Sequence, residues 1–227
     1  MLISEKYSLI FISNPKTGTT SIQNKLLEID KNALQNNIPE GTKAKRKLNP
    51  MDEHINVRNL SKNLSKIWNN YRKVVFIRNP YEKAVSAYFF YKNGNPIPNG
   101  GGKRRFIALL NIIIARILPF QIWVLFKPIK MNIKYVISKD GFCLVNYVGD
   151  TKNLEEDFIK ILKEINIFQK TKLNKKNTSS HSKNIDKYFS NLIIKKLFEF
   201  KYKHEIIFYN RLKKYDSDYN LFGKKIM

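Results

Sequence analysis

The sequence predicts an α/β fold, a mainly parallel central sheet flanked by helices in three layers. Three observations carry that reading. Apolar runs at residues 9–12 and 73–77 have the length of buried strands, and an Asn-Pro step follows each (Asn14-Pro15, Asn79-Pro80). Stretches with apolar residues at helical spacing come after both runs. Strands alternating with helices are the pattern of a mainly parallel sheet. A chain of 227 residues with 43% hydrophobic and 13% aromatic residues can bury one full core, so a single domain over 1–227 is expected.

The elements follow in order. Residues 20–34 have Ile22, Leu26, Leu27 and Ile29 or Ala33 at helical spacing. Residues 38–50 form a polar, basic loop (Thr42-Lys43-Ala44-Lys45-Arg46-Lys47) ended by Asn49-Pro50. A short helix at 57–64 turns Leu60 and Leu64 inward. The strand at 73–77 ends in Arg78-Asn79-Pro80, and 81–91 is helical with Pro80 near its first turn, where proline is tolerated. Residues 93–105, rich in Gly, Asn and Pro, predict a mobile surface loop. Residues 106–126 are the most hydrophobic stretch, about long enough to span a bilayer. Asn111, Arg116, Pro119 and Gln121 interrupt it, and a crossing would split the sheet between two sides. A buried helix ending before Pro119 is therefore expected, with docking on a membrane surface as the alternative.

Two strands at 134–138 and 142–148 are expected around the turn Lys139-Asp140-Gly141. An amphipathic helix at 153–165 gathers Leu154, Phe158, Ile161, Leu162 and Ile165 on one face. A polar loop at 173–184 leads to closing helix over 185–215, carrying Leu192, Ile193, Leu197, Phe200 and Ile207.

The formal net charge is +24, from 42 Lys and Arg against 18 Asp and Glu. It implies an anionic partner: nucleic acid, an acidic glycan, a phospholipid surface or a multiply charged cofactor. A solvated Lys-rich surface is the alternative for individual lysines. The single cysteine, Cys143, allows no intramolecular disulfide. The apolar run near the start is too short for a secretion signal. A cytoplasmic location, with or without membrane association, is the expectation.

The join between the first strand and the first helix carries the chemistry. It holds Lys16, Gly18 and the hydroxyls of Thr17, Thr19, Thr20 and Ser21. Such a join aims backbone N–H groups and the positive end of a helix dipole at one point, a ready anion site. A Walker A loop places its lysine after the second glycine, just before the helix. Here Lys16 precedes Gly18, and no glycine stands at the required spacing before it. Nor does an Asp end the strand at 73–77, as a magnesium-holding residue would; Arg78 does, which suits direct pairing with a phosphate and no metal.

Pro15-Lys16-Thr17-Gly18-Thr19-Thr20-Ser21 resembles the 5′-phosphosulfate loop of the sulfotransferases that use 3′-phosphoadenosine 5′-phosphosulfate (PAPS). Residues 73–88, Lys-Val-Val-Phe-Ile-Arg-Asn-Pro-Tyr-Glu-Lys-Ala-Val-Ser-Ala-Tyr, resemble their 3′-phosphate motif, which maps onto Arg78 and Ser86. Glu53-His54-Ile55-Asn56-Val57-Arg58 is similar to a His-containing segment of the carbohydrate (Golgi-like) branch, which has many bacterial members. Tyr147-Val148-Gly149 and Asn153-Leu154-Glu155-Glu156-Asp157-Phe158 resemble its later strand and helix. Leu173-Asn174-Lys175 and Phe208-Tyr209 match more loosely. Two departures stand out: Asp150-Thr151-Lys152 replaces an Arg-Phe-Glu type of sequence, and the insertion around 93–126 is poorly matched.

The resemblance implies a P-loop-like fold and transfer of a sulfuryl group from PAPS to an acceptor hydroxyl on a carbohydrate, by in-line displacement without a metal. Lys16 would meet the bridging oxygen, and Gly18 would let the backbone approach the phosphate. Thr17, Thr19, Thr20 and Ser21 would line the loop as N–H and O–H donors, helix capping being the other use of such hydroxyls. Arg78 presents a planar fork to the 3′-phosphate, with a salt bridge to Glu82 as its alternative, and Ser86 would face the same phosphate. His54 is the candidate base, with Glu53 behind it. His181 would line the mouth or be solvated, and His204 would sit on a helix surface. The basic runs at 43–47 and 103–105 suit an anionic glycan and suit solvated loops equally. A kinase-like ATP-dependent phosphotransferase and a basic nucleic-acid-binding protein are the competing readings. Aromatics fall at core periods, so no specific nucleic acid is expected. Oligomeric state is open.

Overall fold

The computed structural model describes residues 1–35, 54–94, 102–168, 173 and 184–227. The loop expected at 38–50, most of those at 93–105 and 173–184, and the candidates Glu53 and His181 lie outside the described residues. The described strands are β1 (Leu2–Ser4), β2 (Leu9–Ile12), β3 (Leu34–Gln35), β4 (Arg72–Ile77) and β5 (Tyr147–Asp150). The described helices are α1 (Thr19–Ile29), α2 (Val57–Asn63), α3 (Ser65–Trp68), α4 (Pro80–Lys92), α5 (Gly102–Ile117), α6 (Phe120–Phe126), α7 (Leu154–Glu164), α8 (Leu192–Lys201) and α9 (Lys203–Leu212). They fall into two compact units. The first takes Met1–Arg78, Met131–Lys176 and Ile207–Met227; the second takes Asn79–Lys130 and Asn177–Ile206.

The first unit holds a five-stranded sheet in the order β3-β1-β2-β4-β5. Its middle is parallel, β2 beside β4 and β4 beside β5. β1 runs antiparallel to both β2 and β3, so the sheet is mixed. Side chains alternate across each strand. Ile3, Ile10, Ile12, Val75 and Ile77 pack on one face with Val57, Leu60 and Trp68. Leu2, Leu9, Phe11, Val74 and Phe76 pack on the other with Ile22 and Leu26 of α1 and Phe158 and Ile161 of α7. Apolar residues on both faces are what a sheet covered on both sides requires. Burying a side chain such as Phe11 or Phe76 contributes roughly 1.5–3 kcal/mol.

The expected strand pair at 134–138 and 142–148 is corrected. Asn132–Tyr135 is a 3₁₀ helix, and the pairing shrinks to one antiparallel bridge, Ile137 with Cys143. Tyr135, Val136 and Ile137 are all buried, a run with no alternation to set a strand face. The Cys143 amide donates to the Lys224 carbonyl at 2.7 Å, drawing this segment to the C-terminal stretch. The strand that joins the sheet comes later, at Tyr147.

The second unit is built on α4, against which α5 and α6 pack, while α8 packs on α6. Asn79 opens α4, its side chain accepting the Tyr81 amide at 3.0 Å, with Pro80 in the first turn as expected. Aromatic rings fill the interior: Tyr88 lies 5.6 Å from Phe120 and 5.4 Å from Trp123, and Tyr81 lies 5.2 Å from Phe198. The hydrophobic stretch does break before Pro119, into α5 and α6. α5 is not a buried helix: Ile112 and Ala115 are buried, whereas Phe106, Ile107, Leu109, Leu110, Ile113 and Ile117 are exposed; α6 buries Phe120, Trp123 and Val124. Residues 102–105 of the expected loop already belong to α5. The closing helix is two helices, α8 and α9, and Leu192, Ile193, Leu197 and Phe200 are exposed while Phe198 is buried. No helix among the described residues is long and apolar enough to cross a membrane.

β4 and β5 meet closely at one point. Gly149 pairs with Phe76, and a Cβ at Gly149 would stand 2.3 Å from the Phe76 ring. Gly149→Ala is expected to lower stability by about 1–3 kcal/mol in urea denaturation. Combining it with Phe76→Leu should return part of the loss relative to Phe76→Leu alone. An unchanged midpoint in Gly149→Ala would contradict this contact.

Candidate functional site

The site is built from the ends of β2 and β4. After Ile12 the chain needs only a few residues to enter α1, and it makes the turn with two left-handed backbones, Lys16 at φ 64° and Gly18 at φ 73°. Such a conformation costs a residue with a side chain roughly 1–2 kcal/mol, a cost Lys16 bears. Gly18 avoids it, and the Leu154 side chain leaves little room for a Cβ there, 3.0 Å away.

The hydroxyls of Thr17 and Thr19 both donate to the Asn14 carbonyl at 2.8 Å. Their O–H groups thus close the loop on itself. Helix capping is not their use either, since the N-cap of α1 is Gly18, with no side-chain cap. The first turn of α1, with Thr19, Thr20 and Ser21, brings its backbone N–H groups and the positive dipole end to the loop.

Two buried amides join this loop to the neighbouring strand end. The Asn14 side chain donates to the Phe76 carbonyl at 2.8 Å and to Asn132 Oδ1 at 3.0 Å. Asn132 Oδ1 also accepts the Arg78 amide at 3.2 Å, and its Nδ2 donates to the Arg78 carbonyl at 2.9 Å. The Arg78 guanidinium in turn donates to the Lys16 carbonyl at 3.3 Å. Lys16 and Arg78, distant in sequence, are thereby brought together. Burial lowers the Lys16 ammonium to about 8, and the Arg78 charge pushes the same way.

His54 lies at the base of the same loop, half-buried, its Nδ1 2.9 Å from the Ser13 carbonyl. A carbonyl can only accept, so Nδ1 carries the proton of that bond and, in the neutral ring, Nε2 holds the lone pair. Asn56 then caps α2 through the Arg58 amide, and the Arg58 guanidinium holds the Ile137 and Ser138 carbonyls. Ser86 is buried on α4 in the second unit, and His204 is exposed on α9.

The departure at residues 150–152 has a structural use. Asp150 ends β5, accepts the Tyr209 hydroxyl at 2.6 Å and the Lys152 amide at 2.9 Å, and donates its own amide to Asp157 at 2.6 Å. Burial raises the Asp157 carboxyl above its ordinary value. Among the described residues no group of three or more His, Cys, Asp or Glu is gathered to hold a metal ion.

A model of the sulfotransferase family matches residues 1–225, nearly the whole chain. The chain belongs to the sulfotransferase family. No curated protein and no solved structure matches it. Sulfuryl transfer is the chemistry of that family, and a charged loop with an arginine at the next strand end is a setting able to hold a multiply charged anion.

Sequence reading missed Asn14 and Asn132 as supports of this sulfotransferase's candidate site. Asn14 had a signal, a polar residue closing an apolar strand. Asn132 had none, standing in a basic stretch far from either motif. Asn132→Ala would strip buried polar atoms of Asn14 and Arg78 of a partner, and is expected to cost about 1–3 kcal/mol of stability in urea denaturation. A loss below about 0.5 kcal/mol would show that the bridge is not needed.

Proposed function

We propose that this sulfotransferase carries a sulfuryl group from PAPS to a hydroxyl of a carbohydrate, with Lys16 and Arg78 as donor-site cations and His54 as base. The observation that carries the reading is the approach of Lys16 and Arg78, with the Lys16 ammonium lowered to about 8. Two cations held together in a half-buried place repel, and an anion with phosphates at both ends relieves the repulsion. The loop suits such a ligand, because Gly18 lacks a Cβ and α1 turns its N-terminus there.

PAPS supplies an activated sulfuryl group joined to a phosphate leaving group. Lys16 Nζ meets the negative charge that grows on the leaving oxygen, an electrostatic contribution strongest in the transition state. Arg78 engages the 3′-phosphate with its planar fork. The Asn14 carbonyl, gripping Thr17 and Thr19, keeps the loop from collapsing when empty. His54 Nε2 takes the proton of the acceptor hydroxyl as its oxygen bonds to sulfur, while Ser13 fixes the ring through Nδ1. The carbohydrate acceptor is supported by the likeness of residues 53–58 and 153–158 to that branch, and the net charge favours an anionic glycan.

Calorimetric titration tests the donor site. The expected result is binding of 3′,5′-ADP in EDTA, weakened at least about tenfold in Arg78→Ala, roughly the loss of one charge-assisted contact. Equal affinity for ATP, or no binding, would overturn the proposal.

The pH dependence follows from Lys16. An anion stabilises its ammonium, so binding takes up a proton wherever the unliganded lysine has lost one. Affinity should hold level below pH 8, then fall by up to about tenfold per pH unit above it. Lys16→Arg should remove that fall. His54→Ala should abolish turnover while 3′,5′-ADP affinity is retained, and undiminished turnover would remove His54 from the mechanism.

A further inference from the structure

We propose that the second unit docks on an anionic phospholipid surface through the outward face of α5. A surface helix ordinarily turns its apolar stripe inward. α5 is reversed. Phe106, Leu110, Ile113 and Ile117 recur at i, i+4, i+7 and i+11 and are 61%, 39%, 49% and 72% exposed. Ala115 and Ile112 are buried on the opposite side, with Asn111 half-buried near them. The same reversal recurs in the unit: Ile122 and Phe126 protrude one turn apart on α6, and Ile193, Leu197 and Phe200 form an exposed stripe on α8. Single exposed apolar residues are ordinary, whereas stripes at helical period mark a surface that meets something apolar.

Charge decides what that is. Residues 79–130 contain one carboxylate, Glu82, against five lysines, of which Lys83 is buried, and three arginines, and α5 has no acidic residue. Arg105 and Arg116 are exposed on the flank of its stripe, and Lys195 and Lys196 are exposed on α8. A second copy of the chain would bring another +24 to a basic face, which repulsion opposes. An acidic bilayer complements both features, accepting the apolar side chains at the acyl boundary and the basic ones at the phosphate level. With no described helix able to cross, α5 lies in the plane of the surface.

Flotation with phosphatidylcholine vesicles, with and without 30% phosphatidylglycerol, tests this on the full chain. The expected result is binding to the anionic vesicles only, reduced at least about tenfold by Ile113→Glu with Ile117→Glu, while circular dichroism and 3′,5′-ADP binding are unchanged. Net charge alone could hold the protein to anionic lipid, so a second readout addresses insertion. In Phe106→Trp, emission should shift to the blue on anionic vesicles and be quenched by brominated acyl chains; Trp68 and Trp123 are buried and give a constant background. Binding without shift or quenching, or full binding by the glutamate variant, would overturn the proposal. So would a dimer in sedimentation velocity that the glutamate variant dissolves, since the face would then join two copies.

Discussion

The Asn14–Asn132–Arg78 linkage is the interaction on which the candidate site of the first unit depends. Two parallel strands end side by side, and each must release its chain into a separate loop without fraying. Backbone pairing stops at the strand ends, so something else has to hold the loops in register. Buried amides do it, because each presents both a donor and an acceptor and can bridge two strands at once. Asn14 reaches across to the Phe76 carbonyl, and Asn132 brackets the amide and carbonyl of Arg78. The cations of the proposed donor site therefore hang from a neutral, fully hydrogen-bonded frame. In a low-dielectric setting such a frame is rigid when complete and costly to leave half made.

The parts of this arrangement differ in how legible they are from the residues. β2, β4 and α1 were readable because their apolar spacing matches what each face buries, and the loop and Arg78 because their residue types suit anions. β1 escaped notice, its three residues being too few to show a period, and it turns the sheet mixed. The segment before β5 misled because an unbroken apolar run looks like a strand even where all its side chains go inward. Asn132 could not have been found, since its partners are set by tertiary packing. The direction of α5 was equally hidden: hydrophobicity counts residues, and only the packing on α4 shows which side is covered.

The two units solve burial differently. In the first, aliphatic and aromatic side chains alternate across a sheet and fill both faces. In the second, rings from α4, α6 and α8 make the interior, and aliphatic side chains of α5 remain outside. The proposed transfer chemistry rests on Lys16, Arg78 and His54 of the first unit, and the proposed surface attachment on exposed side chains of α5, α6 and α8 in the second.

Lys16 has a further property as a chemical group. An ordinary lysine is neutral in about one molecule in three thousand at pH 7, whereas one lowered to about 8 is neutral in roughly one in ten. The neutral amine is the nucleophilic form. Lys73 is lowered as far, but it is buried and donates to the Trp68 carbonyl at 2.9 Å. Among the described lysines, Lys16 is thus a half-buried loop amine that acylating reagents meet more often in its nucleophilic form than an ordinary one. The strain and crowding that would ready the loop for the proposed anion also make it a natural handle for covalent labelling.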